Sequence, residues 1–277
     1  MGRILAWLEL FRTPNALVAA AGVWLGWISL RPLRPDMSLA WWGGLSMFLL
    51  VAAGNADNDV QDLPADRINR PNRPMPSGRL SPRSVRWIAI LLYVLAILLA
   101  GILTPMHGAL TASMAFLLII YNRRLKGMPL LGNLAVALLC ALAIYFPEFP
   151  LPLKNTLPAF LFAFLATLAR EIVKDIEDRE GDKVMGMKTF ALISGINRSR
   201  KLAFSLLGLI LLLLPLPTVW LDYAWPYAAV STLGVAPLLI SLMVLLTRSA
   251  PEYGVCQRRM KWLMVVGMVA MGAGVWL

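Results

Sequence analysis

A single histidine and two cysteines are all that 277 residues offer to a disulfide or a soft-metal site. Cys140 and Cys256 stand in or beside apolar runs, so neither a disulfide framework nor a zinc site is expected. Charge is scarce as well. Only 15% of the residues are Asp, Glu, Lys or Arg, against roughly a quarter in soluble domains. Together with 59% hydrophobic residues and a mean hydropathy of +0.70, this excludes a soluble globular chain and a disordered one. The net charge of +11 would point to nucleic acid only if topology did not account for it.

What is present is a series of nine apolar stretches, at about 14–31, 38–56, 85–104, 106–121, 129–147, 157–173, 202–220, 226–247 and 262–277, most near the ~20 residues of a helical crossing. Only Thr104-Pro105-Met106-His107-Gly108 separates the third from the fourth, which reads as a turn between antiparallel helices. With the N-terminus inside, all but three of the 26 Lys and Arg residues fall on the cytoplasmic side; the exceptions are Arg31, Arg34 and Lys154. This is the bias of the positive-inside rule, and it removes the need for nucleic acid. Ala19-Ala20-Ala21 resembles a cleavage site, but removing the first stretch would invert the charge pattern. The expectation is an all-α, polytopic inner-membrane protein with nine transmembrane helices in a single domain. His107, on the outer side, is set apart from any chemistry.

Ten of the 15 acidic residues fall in two clusters. Asp57, Asp59, Asp62 and Asp66 follow the second stretch; Glu171, Asp175, Glu177, Asp178, Glu180 and Asp182 follow the sixth. Asp59, Asp62 and Asp66 have the spacing D-x-x-D-x-x-x-D, and Asp175, Asp178 and Asp182 repeat it four helices later. A duplicated four-helix unit with one helix added would produce this pattern. On a helix of ~3.6 residues per turn, Asn55, Asp59, Asp62 and Asp66 lie within roughly 60° of arc, and so do Glu171, Asp175, Asp178 and Asp182. Pro64 and Gly181 are expected to loosen the two segments, which run into loops at about 57–84 and 174–201.

Solvated helix ends would explain one such cluster; identical spacing at matching places argues for more. Like charges ~4 Å apart repel by roughly 1–4 kcal/mol per pair, so these carboxylates need cations. Oxygen ligands without His or Cys nearby point to Mg²⁺. Mg²⁺ keeps waters and favours phosphate oxygens, which makes a lipid diphosphate the natural substrate.

The segment Asn58-Asp59-Val60-Gln61-Asp62-Leu63-Pro64-Ala65-Asp66 resembles the N-D-x-x-D-x-x-x-D motif of the UbiA-type intramembrane prenyltransferases. Asp178-Arg179-Glu180-Gly181-Asp182 is similar to their second motif, D-x-x-x-D, with Asp175 extending it. Pro64 departs from the usual motif interior. The resemblance covers essentially the whole chain, since the family has nine helices with these motifs after the second and sixth. Within the family, the runs Asp66–Arg79 and Arg170–Asp178 look most like enzymes that attach a second geranylgeranyl chain to geranylgeranylglyceryl phosphate in archaeal-type ether lipid synthesis.

The resemblance implies a reaction in which Mg²⁺ joins the Asp clusters to the diphosphate of an allylic donor, the C–O bond breaks and the acceptor attacks. Asp62, Asp66, Asp178 and Asp182 would be catalytic. Asn58, Asp62 and Asp66 would serve one metal and Asp178 and Asp182 the other, with Asp59 and Asp175 as ligands or shared partners. Asn55 would be a diphosphate donor or support a ligand. Arg67, Arg73, Lys126, Arg170 and Lys174 are the candidates for diphosphate oxygens. Arg12 and Asn15 resemble the family's R-x-x-N pair facing the substrate head group, and Tyr121 to Lys126, followed by Gly132-Asn133, resembles its basic loop. Tyr121 reads equally well as an interfacial anchor.

An ion-coupled transporter would also carry intramembrane acids, but here hardly any charge sits mid-span. The CDP-alcohol phosphotransferases need D-G-x-x-A-R, which neither cluster contains. An aromatic acceptor, such as 4-hydroxybenzoate, a naphthoate or a tetrapyrrole, stays open beside the lipid phosphate. The four arginines of Arg67–Arg79 favour the phosphate. No obligate protein partner is evident.

Overall fold

The computed structural model describes residues 2–30 and 36–276. Arg31 and Arg34, two of the three cations expected on the outer side, lie outside the described residues, as does the end of the ninth stretch at Leu277. Every regular element described is helical. In order these are α1 (Gly2–Leu10), α2 (Thr13–Ser29), α3 (Met37–Asn69), α4 (Pro82–Leu103), α5 (Pro105–Arg123), α6 (Leu131–Tyr145), α7 (Leu157–Glu177), α8 (Arg179–Val184), α9 (Phe190–Ile193), α10 (Ile196–Leu213), α11 (Leu216–Trp220), α12 (Trp225–Val230), α13 (Ala236–Thr247) and α14 (Tyr253–Trp276). A π-helical turn, Ser231–Val235, joins α12 to α13.

Four helical runs among the described residues are long and apolar enough to cross a membrane: Met37–Ile68, Pro82–Leu103, Ile196–Trp220 and Trp225–Thr247. The chain is an integral membrane protein. Helix α6, one of the nine expected crossings, is apolar but has only 15 residues.

The chain forms two compact units, one from residues 1–24, 35–125 and 149–152, the other from 25–34, 126–148 and 153–277. In the first, α3, α4 and α5 pack together. Ser81 caps α4 by accepting from the Ser84 amide at 3.1 Å, with Pro82 at the first helical position. Thr104 is the whole corner between α4 and α5, and its hydroxyl accepts from the His107 amide at 3.2 Å. His107 is buried there, in a capping role. A satellite core of Ala6, Leu10, Ala56, Met75, Leu80, Val85 and Ala89 joins α1 and the loop after α3 to the middle of α3.

The second unit is built around α7, whose Phe162, Leu165, Ala169 and Ile172 share a core with Leu207, Leu239, Met260 and Leu263 of α10, α13 and α14. Because lipid is as apolar as these side chains, close approach rather than water exclusion holds such helices together. Gly26 shows how close: a Cβ there would stand 1.9 Å from the Ile144 carbonyl oxygen, a backbone atom that no rotamer change can move. The loop before α7 is organised by Glu148, which is 1% exposed. Its carboxylate accepts from the amides of Lys154, Asn155 and Thr156 and, at 2.6 Å, from the Thr156 hydroxyl. Burial alone would raise its pKa, but these donors outweigh it and hold the group below its ordinary 4.5.

Two expectations need correction. The loop expected to start at residue 57 is helical up to Asn69, so Asp57 to Asp66 all lie on α3. Pro64 removes only the bond to the Val60 carbonyl, near a polar helix end where that carbonyl can find other donors. In the second cluster the break comes at Asp178, before Gly181, dividing α7 from α8.

Gly26→Ala should cost about 1–3 kcal/mol and lower the Tm in detergent; an unchanged Tm would show that α2 and α6 can separate freely. Glu148→Gln should cost about 2–3 kcal/mol at neutral pH. Since the folded pKa is depressed, that stabilisation is present above about pH 4.5 and is lost as pH falls through the folded value. The gap between wild type and variant should therefore close in acid, measurable as Tm against pH.

Candidate active site

In the first unit, the acidic face of α3 is met by arginines from both of its chain neighbours. Arg12 stands at the break between α1 and α2 with φ +47°, a left-handed conformation costly for a residue with a Cβ. Its Nη2 donates to Asp59 Oδ1 at 2.7 Å. One residue earlier, the Phe11 carbonyl left over at the end of α1 accepts from Asn55 Nδ2 at 3.0 Å, so α3 itself holds the break in place.

The second arginine arrives on the loop after α3. Arg73 Nη1 lies 2.6 Å from Asp66 Oδ2 and 3.5 Å from Asp59 Oδ1. The loop is fixed by turn hydrogen bonds, among them Arg73 N to Arg70 O at 3.1 Å and Leu80 N to Pro74 O at 3.0 Å, and by the buried Met75 and Leu80. Gly78, at φ +77°, closes its turn. Arg79 ties the loop to α1 through Glu9 at 2.9 Å and also donates to the Asn72 carbonyl. The result is an alternating chain, Arg12–Asp59–Arg73–Asp66, with both carboxylates buried. Asp62, between them in sequence, accepts from Asn58 Nδ2 at 2.9 Å. Behind this face, Asn122 Nδ2 reaches both the Gly54 carbonyl and Asp57 Oδ2 at 3.1 Å, fixing α3 against α5.

In the second unit the acids are held differently. Asp175 on α7 accepts from Asn133 Nδ2 on α6 at 2.9 Å. Burial, with the charges of Glu171 and Asp182, outweighs Asn133 and Lys174 and pushes its pKa up to about 6. Asp182 on α8 is buried; burial and the Asp178 charge raise its pKa against Lys174 and Lys126. Lys174 Nζ stands 3.7 Å from Asp178 Oδ2 on a half-exposed pair, and Arg170 pairs with its neighbour Glu171.

The sequence-predicted residues thus divide. Arg12, Asn55, Asn58, Asp59, Asp62, Asp66 and Arg73 come together in the first unit, and Lys126, Arg170, Lys174, Asp175, Asp178 and Asp182 in the second. Asn15 and Arg67 are exposed and make no side-chain hydrogen bond or ion pair among the described residues. Tyr121 is half-buried near the end of α5. Of the four arginines of the Asp66–Arg79 run, Arg73 and Arg79 are engaged within the protein, so they do not stand free for a phosphate. Sequence reasoning gave no role to Glu9, Asn122 or Asn133; the last two lie in the segment resembling the family's basic loop, and Glu9 carries no signal of its own. No group of three or more Asp, Glu, His or Cys side chains among the described residues is arranged to enclose a metal.

The model of the UbiA prenyltransferase family matches residues 15–265. The chain belongs to that family. It is 36% identical over 269 residues to the digeranylgeranylglyceryl phosphate synthase of Methanopyrus kandleri, covering 96% of this chain and 97% of the relative. To the synthase of the same name from Natronomonas pharaonis it is 32% identical, covering 99% and 98%. A solved structure concerned with digeranylgeranylglyceryl phosphate synthase in membranes superposes with a TM-score of 0.80 at 27% identity, covering 99% of each chain. A UbiA homologue of Archaeoglobus fulgidus bound to GPP and Mg²⁺ shares the fold with a TM-score of 0.65 at 18% identity, over 95% of this chain and 99% of that one.

If Arg73 neutralises Asp66, a cycle of Asp66→Asn, Arg73→Gln and the double variant should give a coupling of about 1 kcal/mol or more in unfolding free energy. A coupling under about 0.3 kcal/mol would show that the pair carries no net attraction.

Proposed function

We propose that this prenyltransferase moves a geranylgeranyl group from its diphosphate to the free hydroxyl of geranylgeranylglyceryl phosphate, producing a doubly prenylated precursor of membrane ether lipids. The observation that carries this reading is near full-length identity of 36% to a synthase of that name. The same reading has nine crossings, as the family resemblance implies, and a duplicated four-helix unit, which the repeated acid spacing supports. It also has acid clusters on the cytoplasmic side of the inner membrane, which the Lys and Arg bias supports.

The donor set fits Mg²⁺, because every candidate ligand is an oxygen. Asn58, Asp62 and Asp66 would hold one ion and Asp178 and Asp182 another. Bound Mg²⁺ supplies positive charge to the diphosphate and so makes it a better leaving group. The chain's own residues do the rest. Arg12 and Arg73 pair with Asp59 and Asp66 and hold them in place on α3. Asp175, held by Asn133, supports the second set from α7. Lys126, Arg170 and Lys174 supply positive charge for diphosphate oxygens. As the allylic C–O bond breaks, the diphosphate leaves with the bonding pair. The acceptor hydroxyl oxygen then bonds to the allylic carbon and gives up its proton to the released diphosphate. Packed apolar helices keep water from competing for the allylic carbon.

Asp62→Asn and Asp178→Asn should each lower Mg²⁺-dependent turnover by about 100-fold or more, the scale expected when one preorganised charge contact is lost, while expression and membrane insertion stay intact. Retained turnover would sink the ligand assignment. For the substrate, purified enzyme with geranylgeranyl diphosphate and Mg²⁺ is offered geranylgeranylglyceryl phosphate or a panel of aromatic acceptors, with products read by mass spectrometry. A doubly prenylated glycerol phosphate is expected. An aromatic product alone would overturn the acceptor and leave the prenyl transfer.

A further inference from the structure

At one end of the second unit, a cleft of about 870 Å³ opens between the start of α10 and the turn from α13 into α14. Arg179, Asn197, Arg198, Arg200, Ser249 and Tyr253 are among its lining residues, and none of the lining residues is acidic. The three guanidinium groups are not equivalent. Arg200 is fixed as part of the wall, donating from Nε to the Leu246 carbonyl at 2.8 Å and also bonding the Arg248 carbonyl, which caps the end of α13. Arg179 reaches Glu180 at 3.2 Å through Nη1, while its Nε is buried without a partner. Arg198 is exposed and makes no side-chain hydrogen bond or ion pair among the described residues.

The start of α10, which also lines the cleft, adds to this charge. Helix α10 has 18 residues, and its cap is Gly195 at φ +85°, which offers no side-chain acceptor. The first bond back to the cap comes from Ser199, whose amide meets the Gly195 carbonyl at 3.2 Å. The amides of Ile196, Asn197 and Arg198 have no carbonyl of their own helix to bond, and the helix dipole adds partial positive charge where they gather. An anion with several acceptor oxygens matches both the amides and the guanidinium groups.

Position narrows the ligand. The cleft lies where the apolar run Ile196–Trp220 begins and immediately after the apolar run Trp225–Thr247 ends. That is the depth of lipid headgroups, and Tyr253 is the kind of side chain that sits there. The positive-inside rule accounts for basic residues near such ends on average. It does not account for three arginines and an uncapped helix start lining one concavity with no acidic residue among its lining.

We infer that this cleft is a binding site for a phosphate group, carried by an anionic lipid headgroup or present as the free ion. The inference rests on the second unit alone; Arg179 lies within the Asp178–Asp182 segment of the proposed metal site, so the test varies Arg198, which lies outside it.

The test uses the full-length protein in neutral detergent, with Tm followed against added phosphatidylglycerol, phosphatidylcholine or inorganic phosphate. Arg198→Gln and Arg198→Glu change an exposed side chain that holds nothing in the fold. Arg83→Glu, at the exposed start of α4 in the other unit, makes the same charge change elsewhere. Phosphatidylglycerol should raise the wild-type Tm more than phosphatidylcholine does. Its apparent affinity should fall about tenfold in Arg198→Glu, less in Arg198→Gln, and stay unchanged in Arg83→Glu. A response to phosphatidylglycerol alone assigns the site to a headgroup, and an equal response to inorganic phosphate assigns it to the ion; both support the site. Wild type that responds to neither, or an equal loss in Arg83→Glu, would overturn it.

Discussion

Carboxylates crowded at the end of an apolar helix cannot remain uncompensated, and much of the candidate site follows from how that charge is met. Asp59 and Asp66 are buried on α3, where mutual repulsion is less screened than in water. The first unit meets them with arginine. Arg12 requires a break between α1 and α2 and a left-handed backbone; Arg73 requires a loop that folds back on the helix it has just left. The three prolines and Gly78 of that loop, the buried Met75 and Leu80, and the Arg79–Glu9 contact all serve to deliver one guanidinium group to one helix face.

The second unit carries the same spacing of acids and treats it differently. Asp175 has an amide partner, Asn133, and no ion pair at hydrogen-bond distance among the described residues, and burial discourages its charge. Asp178 closes α7, and Asp182 is carried on the short α8. Identical spacing in sequence therefore leads to one set held rigidly on a single helix and another divided over two. The difference lies in where each helix stops. Pro64 is tolerated inside α3 because the interruption comes near its end, whereas α7 ends at Asp178 before its last acid.

Much of this was legible in the chain of letters. The apolar stretches and the bias of Lys and Arg specify an integral membrane protein, and the D-x-x-D-x-x-x-D spacing places Asn55, Asp59 and Asp66 on a common face, as found. The antiparallel corner was equally plain from the short run Thr104-Pro105-Met106-His107-Gly108; that Thr104 caps α5 was not. Helix ends were not. The loop was expected from about residue 57, although the acid spacing already put Asp59, Asp62 and Asp66 on a helix face, because hydropathy marks the apolar part of a helix and not its full length. Arg67 and Arg73 looked interchangeable, yet one is exposed and the other is the partner of Asp66.

The sequence by itself determined which residues could carry charge into the membrane boundary and on which helix face they would lie, because helix periodicity is a local property of the backbone. Only the tertiary structure decided which charge meets which. Arg12 and Asp59 are 47 residues apart, and Asn133 and Asp175 are 42 apart. No local rule links such pairs; they meet because loops and close-packed helices bring them within a few ångströms, where the choice of partner depends on distance and burial rather than on residue type.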